Sequence, residues 1–140
     1  MAQAEGYRQL VVARAGGACE YCRLLEAATG VTFHIEHVFP RILGGETAMA
    51  NLALSCPGCN LSKGDRMTGD DSSGRTRGLF NPRDFEPWLL GWHLHFEIDR
   101  HTGKILPRTT VGDATVRTLA MNGVHRVFAR RLQIRAGLIG

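Results

Sequence analysis

Two Cys-x-x-Cys pairs, Cys19/Cys22 and Cys56/Cys59, contain all four cysteines of this 140-residue chain. Two residues between thiols make a knuckle, and two knuckles supply the four thiolates of a tetrahedral Zn²⁺ site. The 33 residues from 23 to 55 lie between the pairs, so whatever folds there has both ends tied to one point. A redox Cys-x-x-Cys needs only one pair and a thioredoxin-like βαβ context, which the flanking sequence lacks. The opening MAQAEGYRQL does not have the charged-then-apolar order of a secretory leader, so a cytoplasmic location is expected, where disulfides seldom persist. Metal is therefore the expected use of the cysteines. With four thiolates the Zn²⁺ is coordinatively closed, holds no reactive water, and acts as a structural staple.

The length suits one domain over 1–140, which buries roughly 68% of the surface of the unfolded chain. Hydrophobic residues at 44% and charged residues at 21% exclude wholesale disorder. No apolar run approaches the ~18 residues that cross a bilayer, so no membrane partner is expected. A net charge of +4 suits a polyanionic partner without requiring one.

Along the chain, Tyr7, Leu10, Val11 and Ala15 recur at helical spacing, with Gly16-Gly17 as the stop before Cys19. VTFHIE at 31–36 alternates as a half-buried strand does, and LALS at 52–55 is the returning strand. Pro57 suits the first turn of a helix running to about Asp65. The polar, glycine-rich stretch 64–78 has no apolar periodicity and is expected to be a long surface loop. Beyond it, HLHFEID and KILPR flank a turn at RHTGK, which predicts a β-hairpin with His93 and His95 on one polar strand face. A helix is expected from Asp113 to Met121 and, after Asn122-Gly123, a second amphipathic segment through Val124, Val127, Phe128 and Leu132. Trp88 and Trp92 are expected in the core. Arg126, Arg130 and Arg131 are expected on a solvated helix face, with contact to DNA backbone as the functional alternative.

Between and beside the knuckles stands FHIEHVFPRILGGETAMANLALSCPGCNLSKGD. Glu36-His37 forms an acid-histidine pair, Gly44-Gly45 a loop signal, Asn51 precedes a strand, and Cys59-Asn60 with Lys63 closes the run. In order and spacing this stretch, Cys19 to about Lys63, resembles the HNH endonuclease family, in the branch with two zinc knuckles. Asparagine stands at the third letter of the motif and glutamate where aspartate is more usual. The resemblance implies an α+β protein with a ββα-metal core at about 18–66, stapled by the four-cysteine zinc site and extended over 79–140 by a β-hairpin and C-terminal helices.

What it implies chemically is hydrolysis of phosphodiester bonds in DNA. His37 would be the general base, and one divalent cation, Mg²⁺ or Mn²⁺, would be held by Glu36 and Asn60. Asn51 would brace the loop between the strands. Oxygen donors suit such a hard ion, and a neutral imidazole can take a proton from water near pH 7. Lys63 and Arg41 are expected as phosphate contacts; His34, alternating onto the side of Glu36, is a further candidate, although an ordinary strand histidine is the simpler reading. Because adjacent strand residues face opposite sides, Glu36 and His37 can share one site only if the strand ends or twists there. Two other readings remain open: a zinc-stapled nucleic-acid-binding module without catalysis, and a nuclease subunit active only within a phage or defence assembly.

Overall fold

The computed structural model describes residues 3–139. Helix α1 (Arg8–Ala15) buries Val11 and Ala15 on one face and ends at Gly16, whose φ of 66° is left-handed, a conformation that suits a residue without Cβ. Strands β1 (His34–His37) and β2 (Leu52–Ser55) pair antiparallel, with His34 opposite Ser55 and His37 opposite Leu52. Strand β1 starts three residues later than its sequence pattern predicts because side chains take the backbone of Phe33. The Phe33 N–H donates to Glu26 Oε2 at 2.7 Å, and its carbonyl accepts from Arg8 Nη1 at 2.8 Å, so nothing is left there for a ladder. Helix α2 (Pro57–Lys63) follows with Pro57 in its first turn and Cys56 as N-cap. Together β1, β2 and α2 form a ββα-metal core, and the whole described fold is α+β.

The stretch 64–78 is not an irregular loop. It forms a hairpin of β3 (Thr68–Asp70) and β4 (Thr76–Gly78). Apolar periodicity is absent because polar groups organise the turn. Asp71 Oδ1 accepts from Ser73 N–H at 2.8 Å, Ser73 Oγ at 2.6 Å and Arg75 N–H at 3.1 Å, while Oδ2 accepts from Arg77 Nε at 2.9 Å. These bonds hold the Asp71 carboxyl below the usual carboxylate range.

The strand expected over HLHFEID is also corrected. Trp88–His95 is a helix, α3, and only Phe96–Ile98 remains extended as β5, paired with β6 (Ile105–Pro107). Trp88, Gly91 and Trp92 are its buried residues, at the i, i+3, i+4 spacing of a helix face. The short His-Leu-His-Phe alternation at its end imitates a strand, so His93 and His95 do not share a strand face.

Helices α4 (Thr110–Thr118) and α5 (Val124–Arg135) close the fold. Thr109 caps α4 by accepting from Gly112 N–H at 3.0 Å. One cluster of buried apolar residues runs from Val11 through Phe33 and Leu54 to Trp92, Phe96, Leu119 and Met121. The arginines of α5 do not form a solvated face. Arg130 is completely buried and donates to three backbone carbonyls: Cys22 at 3.0 Å, Gly103 at 2.6 Å and Met121 at 2.9 Å. Arg126 lies against the cysteines, and Arg131 stands over the Phe128 ring, 5.7 Å from its centroid. A buried guanidinium satisfied by carbonyls acts as a tie between segments, here from α5 to the first knuckle, the β5–β6 turn and the connection between α4 and α5.

Candidate active site

The four cysteines converge. All are buried, and their sulfur atoms lie within 4.8 Å of one another, with Cys22 Sγ and Cys56 Sγ 3.5 Å apart. A tetrahedron of thiolates at Zn–S distances of ~2.3 Å sets its sulfurs about 3.8 Å apart, so the cluster suits a structural zinc ion. In each knuckle the second cysteine's N–H donates back to the first cysteine's sulfur at 3.4 Å. Arg126 Nη1 donates to Cys59 Sγ at 3.2 Å.

The first knuckle also carries two polar side chains that reach the strands. Glu20 is fully buried; its Oε2 accepts from Leu54 N–H at 2.8 Å and its Oε1 from Arg83 Nη2. Arg83 Nη1 and Arg14 Nη2 both donate to the Leu52 carbonyl, at 3.2 and 2.5 Å. The start of β2, and with it the residue opposite His37, is thus pinned from two sides. Tyr21 is buried with its hydroxyl donating to Glu36 Oε1 at 2.5 Å, and its carbonyl accepts from Trp92 Nε1 at 2.8 Å. A zinc knuckle therefore grips the carboxylate of Glu36 directly.

Glu36, His37, Asn60, Arg41 and Asp65 line one cleft of about 640 Å³, whose lining continues through Ile35, Pro40 and Gly64. Glu36 and His37 both reach it because β1 stops at His37: Val38 N–H still bonds the Asn51 carbonyl at 2.9 Å, then the chain turns away at Phe39 and Pro40. Glu36 is buried, and its Oε2 has no hydrogen-bond partner; Lys63 Nζ stands 3.5 Å away, an ion-pair distance. Burial raises the carboxyl of Glu36 above its ordinary value, against the opposing pull of Lys63 and Tyr21. Burial, with Arg41 nearby, lowers the imidazole of His37 below its ordinary 6.5, so the ring is neutral at pH 7. His37 Nε2 lies 2.7 Å from Thr47 Oγ1.

Asn51 sits at the far end of the connecting loop. Its Oδ1 accepts from Phe39 N–H at 2.8 Å, and its Nδ2 donates to the carbonyls of Phe39 at 3.0 Å and Glu46 at 2.9 Å. The loop is tight where it passes Gly45: a Cβ there would lie 1.8 Å from the Phe39 carbonyl oxygen. Exposed Arg41 is at the cleft, whereas His34 is exposed on β1 and outside the lining. Lys63, expected on a phosphate, is instead buried at the end of α2, donating to the Val38 carbonyl at 3.1 Å and paired with Glu36. The last turn of α2 packs the Lys63 side chain inward, where the Glu36 carboxylate and the Val38 carbonyl offset its desolvation.

Sequence reasoning missed Glu20, Tyr21, Thr47, Asp65 and Arg83. An acid and a tyrosine enclosed by a Cys-x-x-Cys was the available signal for the first two. Thr47 and Arg83 carry none, and Asp65 has only the look of a helix end.

The Tyr21 contact gives a direct test. Tyr21→Phe removes the donor to Glu36 Oε1 and leaves that buried oxygen unsatisfied, a cost of about 1–3 kcal/mol. Groups that orient metal-binding carboxylates typically change affinity or activity about 10–100-fold. The expected result is a folded protein with bound zinc, a lowered melting temperature and a raised divalent-cation requirement. An unchanged cation requirement would show that Tyr21 serves packing alone.

Residues 19–66 match the family model of the HNH endonucleases. No curated protein and no solved structure matches the chain. Among the described residues no helix is long and apolar enough to cross a membrane.

Proposed function

We propose, from the premise that residues 19–66 are HNH endonuclease sequence, that this chain is a metal-dependent endonuclease hydrolysing phosphodiester bonds in DNA. The observation that carries the reading is the convergence of the buried Glu36 carboxylate, neutral His37 and Asn60 on one cleft. A carboxylate and an amide oxygen are the donors a hard cation takes, and a neutral imidazole beside them is a base for water.

Glu36 and the amide oxygen of Asn60 would hold Mg²⁺ or Mn²⁺, with Asp65 at the mouth of the same cleft and water completing a hard-ion set. Once bound, that ion supplies Lewis-acid stabilisation of the charge developing on the phosphate and leaving oxygen. His37 does the proton work. With Nε2–H donating to Thr47 Oγ1 across their 2.7 Å contact, Nδ1 would keep the lone pair that takes a proton from the attacking water. As the water oxygen bonds to phosphorus, the bond from phosphorus to the leaving oxygen breaks. Asn51 holds the chain reversal after His37 so that the ring keeps its aim. Arg41, exposed at the cleft, meets phosphate oxygens. Lys63 offsets part of the burial that raises the Glu36 carboxyl and does not touch substrate. Zinc takes no part in the chemistry, because four thiolates close its coordination.

The experiment is relaxation of supercoiled plasmid DNA against Mg²⁺ or Mn²⁺ concentration, for wild type and Asn60→Ala. Wild type should cleave only with the added ion, and the variant should need about tenfold more or higher, as loss of a ligating group weakens the site. Cleavage in excess chelator at the wild-type rate would remove the cation from the mechanism. Binding without cleavage in either metal would favour a zinc-stapled binding module.

A further inference from the structure

The ordered hairpin β3–β4 is not absorbed by the cleavage site, yet it begins where that site ends. Gly64 and Asp65 line the catalytic cleft, and Arg66 lines the next one, of about 460 Å³, with Thr68 and Thr76 from the hairpin and Arg117 and Thr118 from α4. The second cleft is built by close packing. A Cβ on Gly69 would lie 1.9 Å from Thr118 Oγ1, so glycine lets the hairpin rest flush on the helix. Arg66 is anchored at its backbone, with its N–H donating to the Lys63 carbonyl at 3.0 Å.

Of the neighbouring cationic side chains, Arg77 is committed to Asp71, Lys63 to Glu36 and Arg126 to Cys59, while Arg75 lies in the hairpin turn outside the cleft lining. Among the described residues, the guanidiniums of Arg66 and Arg117 have no hydrogen-bond or ion-pair partner, and both side chains are exposed. One carboxylate, Asp70, shares the cleft, and its Oδ1 accepts from Thr76 Oγ1 at 2.8 Å. Two free forks and the hydroxyls of Thr68 and Thr118, against one acid already engaged by Thr76, make a cleft suited to a phosphate, which arginine recognises through paired N–H donors.

We infer that the cleft between the β3–β4 hairpin and α4 is a second phosphate subsite, in which Arg66 and Arg117 hold a backbone phosphodiester of the same nucleic acid that enters the catalytic cleft. The inference rests on the nuclease reading for its ligand, and on the adjacency of Asp65 and Arg66 for its position. A subsite of this kind positions the backbone and reads no base. Its contribution is therefore to binding, equal in the ground and transition states.

The test uses the full chain with bound zinc, a short fluorescein-labelled DNA duplex, and buffer without Mg²⁺ or Mn²⁺. Anisotropy is followed between about 50 and 200 mM salt, the range in which counterion release is read. Arg66→Ala/Arg117→Ala should weaken binding about tenfold and flatten the log–log salt slope by ~0.9, the amount for one lost phosphate contact. Lys104→Ala/Arg135→Ala removes the same charge elsewhere and should change neither by a comparable amount. With Mg²⁺ present, the first pair should raise KM and leave kcat unchanged, the mark of lost uniform binding.

Equal losses in the two pairs, or a wild type that does not bind duplex, overturn the subsite. So does thermal stabilisation by inorganic phosphate that the first pair abolishes while duplex affinity stays put, since that describes a free-anion site. Cleavage with a KM indifferent to Arg66 and Arg117 would leave the nuclease and remove the subsite. Duplex binding that depends on both arginines, without cleavage in any metal, would leave the subsite and remove the nuclease.

Discussion

Cys56→Ser is expected to unfold the β1–β2–α2 unit, not to slow a reaction. Structural zinc contributes on the order of 10–16 kcal/mol of apparent binding free energy in small peptides, against net domain stabilities of about 5–15 kcal/mol. A single lost thiolate therefore threatens the whole net stability. Its effect should be large here, because the knuckles do more than close a loop. Glu20 and Tyr21 of the first knuckle hold β2 and Glu36, and Cys56 is itself the N-cap of α2. Circular dichroism and metal content are the measurements: wild type should hold about one tight zinc, and the variant should lose both the zinc and the cooperative melt. Glu36→Ala, by contrast, should keep the zinc. A Cys56→Ser protein that melts like wild type with its zinc in place would show that the cluster is not the staple.

His37→Ala is expected to lower plasmid cleavage about 10²- to 10⁴-fold, the usual contribution of a positioned general base, without loss of fold or zinc. His37 is only partly buried at the end of β1, and among the described residues its side-chain hydrogen bond is to Thr47. Truncation therefore removes little packing. Thr47→Val should act in the same direction but less, by freeing the ring to reorient. The readout that separates chemistry from stability is duplex binding, which both variants should retain. Cleavage by His37→Ala at the wild-type rate would discard His37 as the base and with it the proposed proton path.

The sequence was legible where one chemical demand fixes spacing. The cysteine pairs, the Leu52–Ser55 strand and the proline-started helix after Cys56 each carry a local signal, whether spacing, β-forming residues or Pro57, and all appear where that signal puts them. Glu36, His37 and Asn60 do line one cleft. Side-chain destinations set by distant segments were not legible. Lys63 is charged and near the end of a short helix, which reads as solvent; only the fold brings Val38 and Glu36 over it. Arg130 reads as part of a basic face, and its three carbonyl partners come from three separate parts of the chain. The 64–78 hairpin was hidden for a related reason, since Asp71 replaces the apolar alternation by which strands are recognised. At Trp88–His95 a four-residue alternation masked a helix whose face is set by two tryptophans.

Arg126 and Arg130 give the C-terminal helix a meaning that reaches beyond packing. Four thiolates outweigh a divalent ion by two negative charges, and Arg126 Nη1 on Cys59 Sγ neutralises part of that excess, while Arg130 fastens the Cys22 carbonyl. The stretch 19–66 is therefore not a portable cassette: excised, it would present an uncompensated anionic cluster to water, protons and competing thiols, and its hold on zinc would become labile.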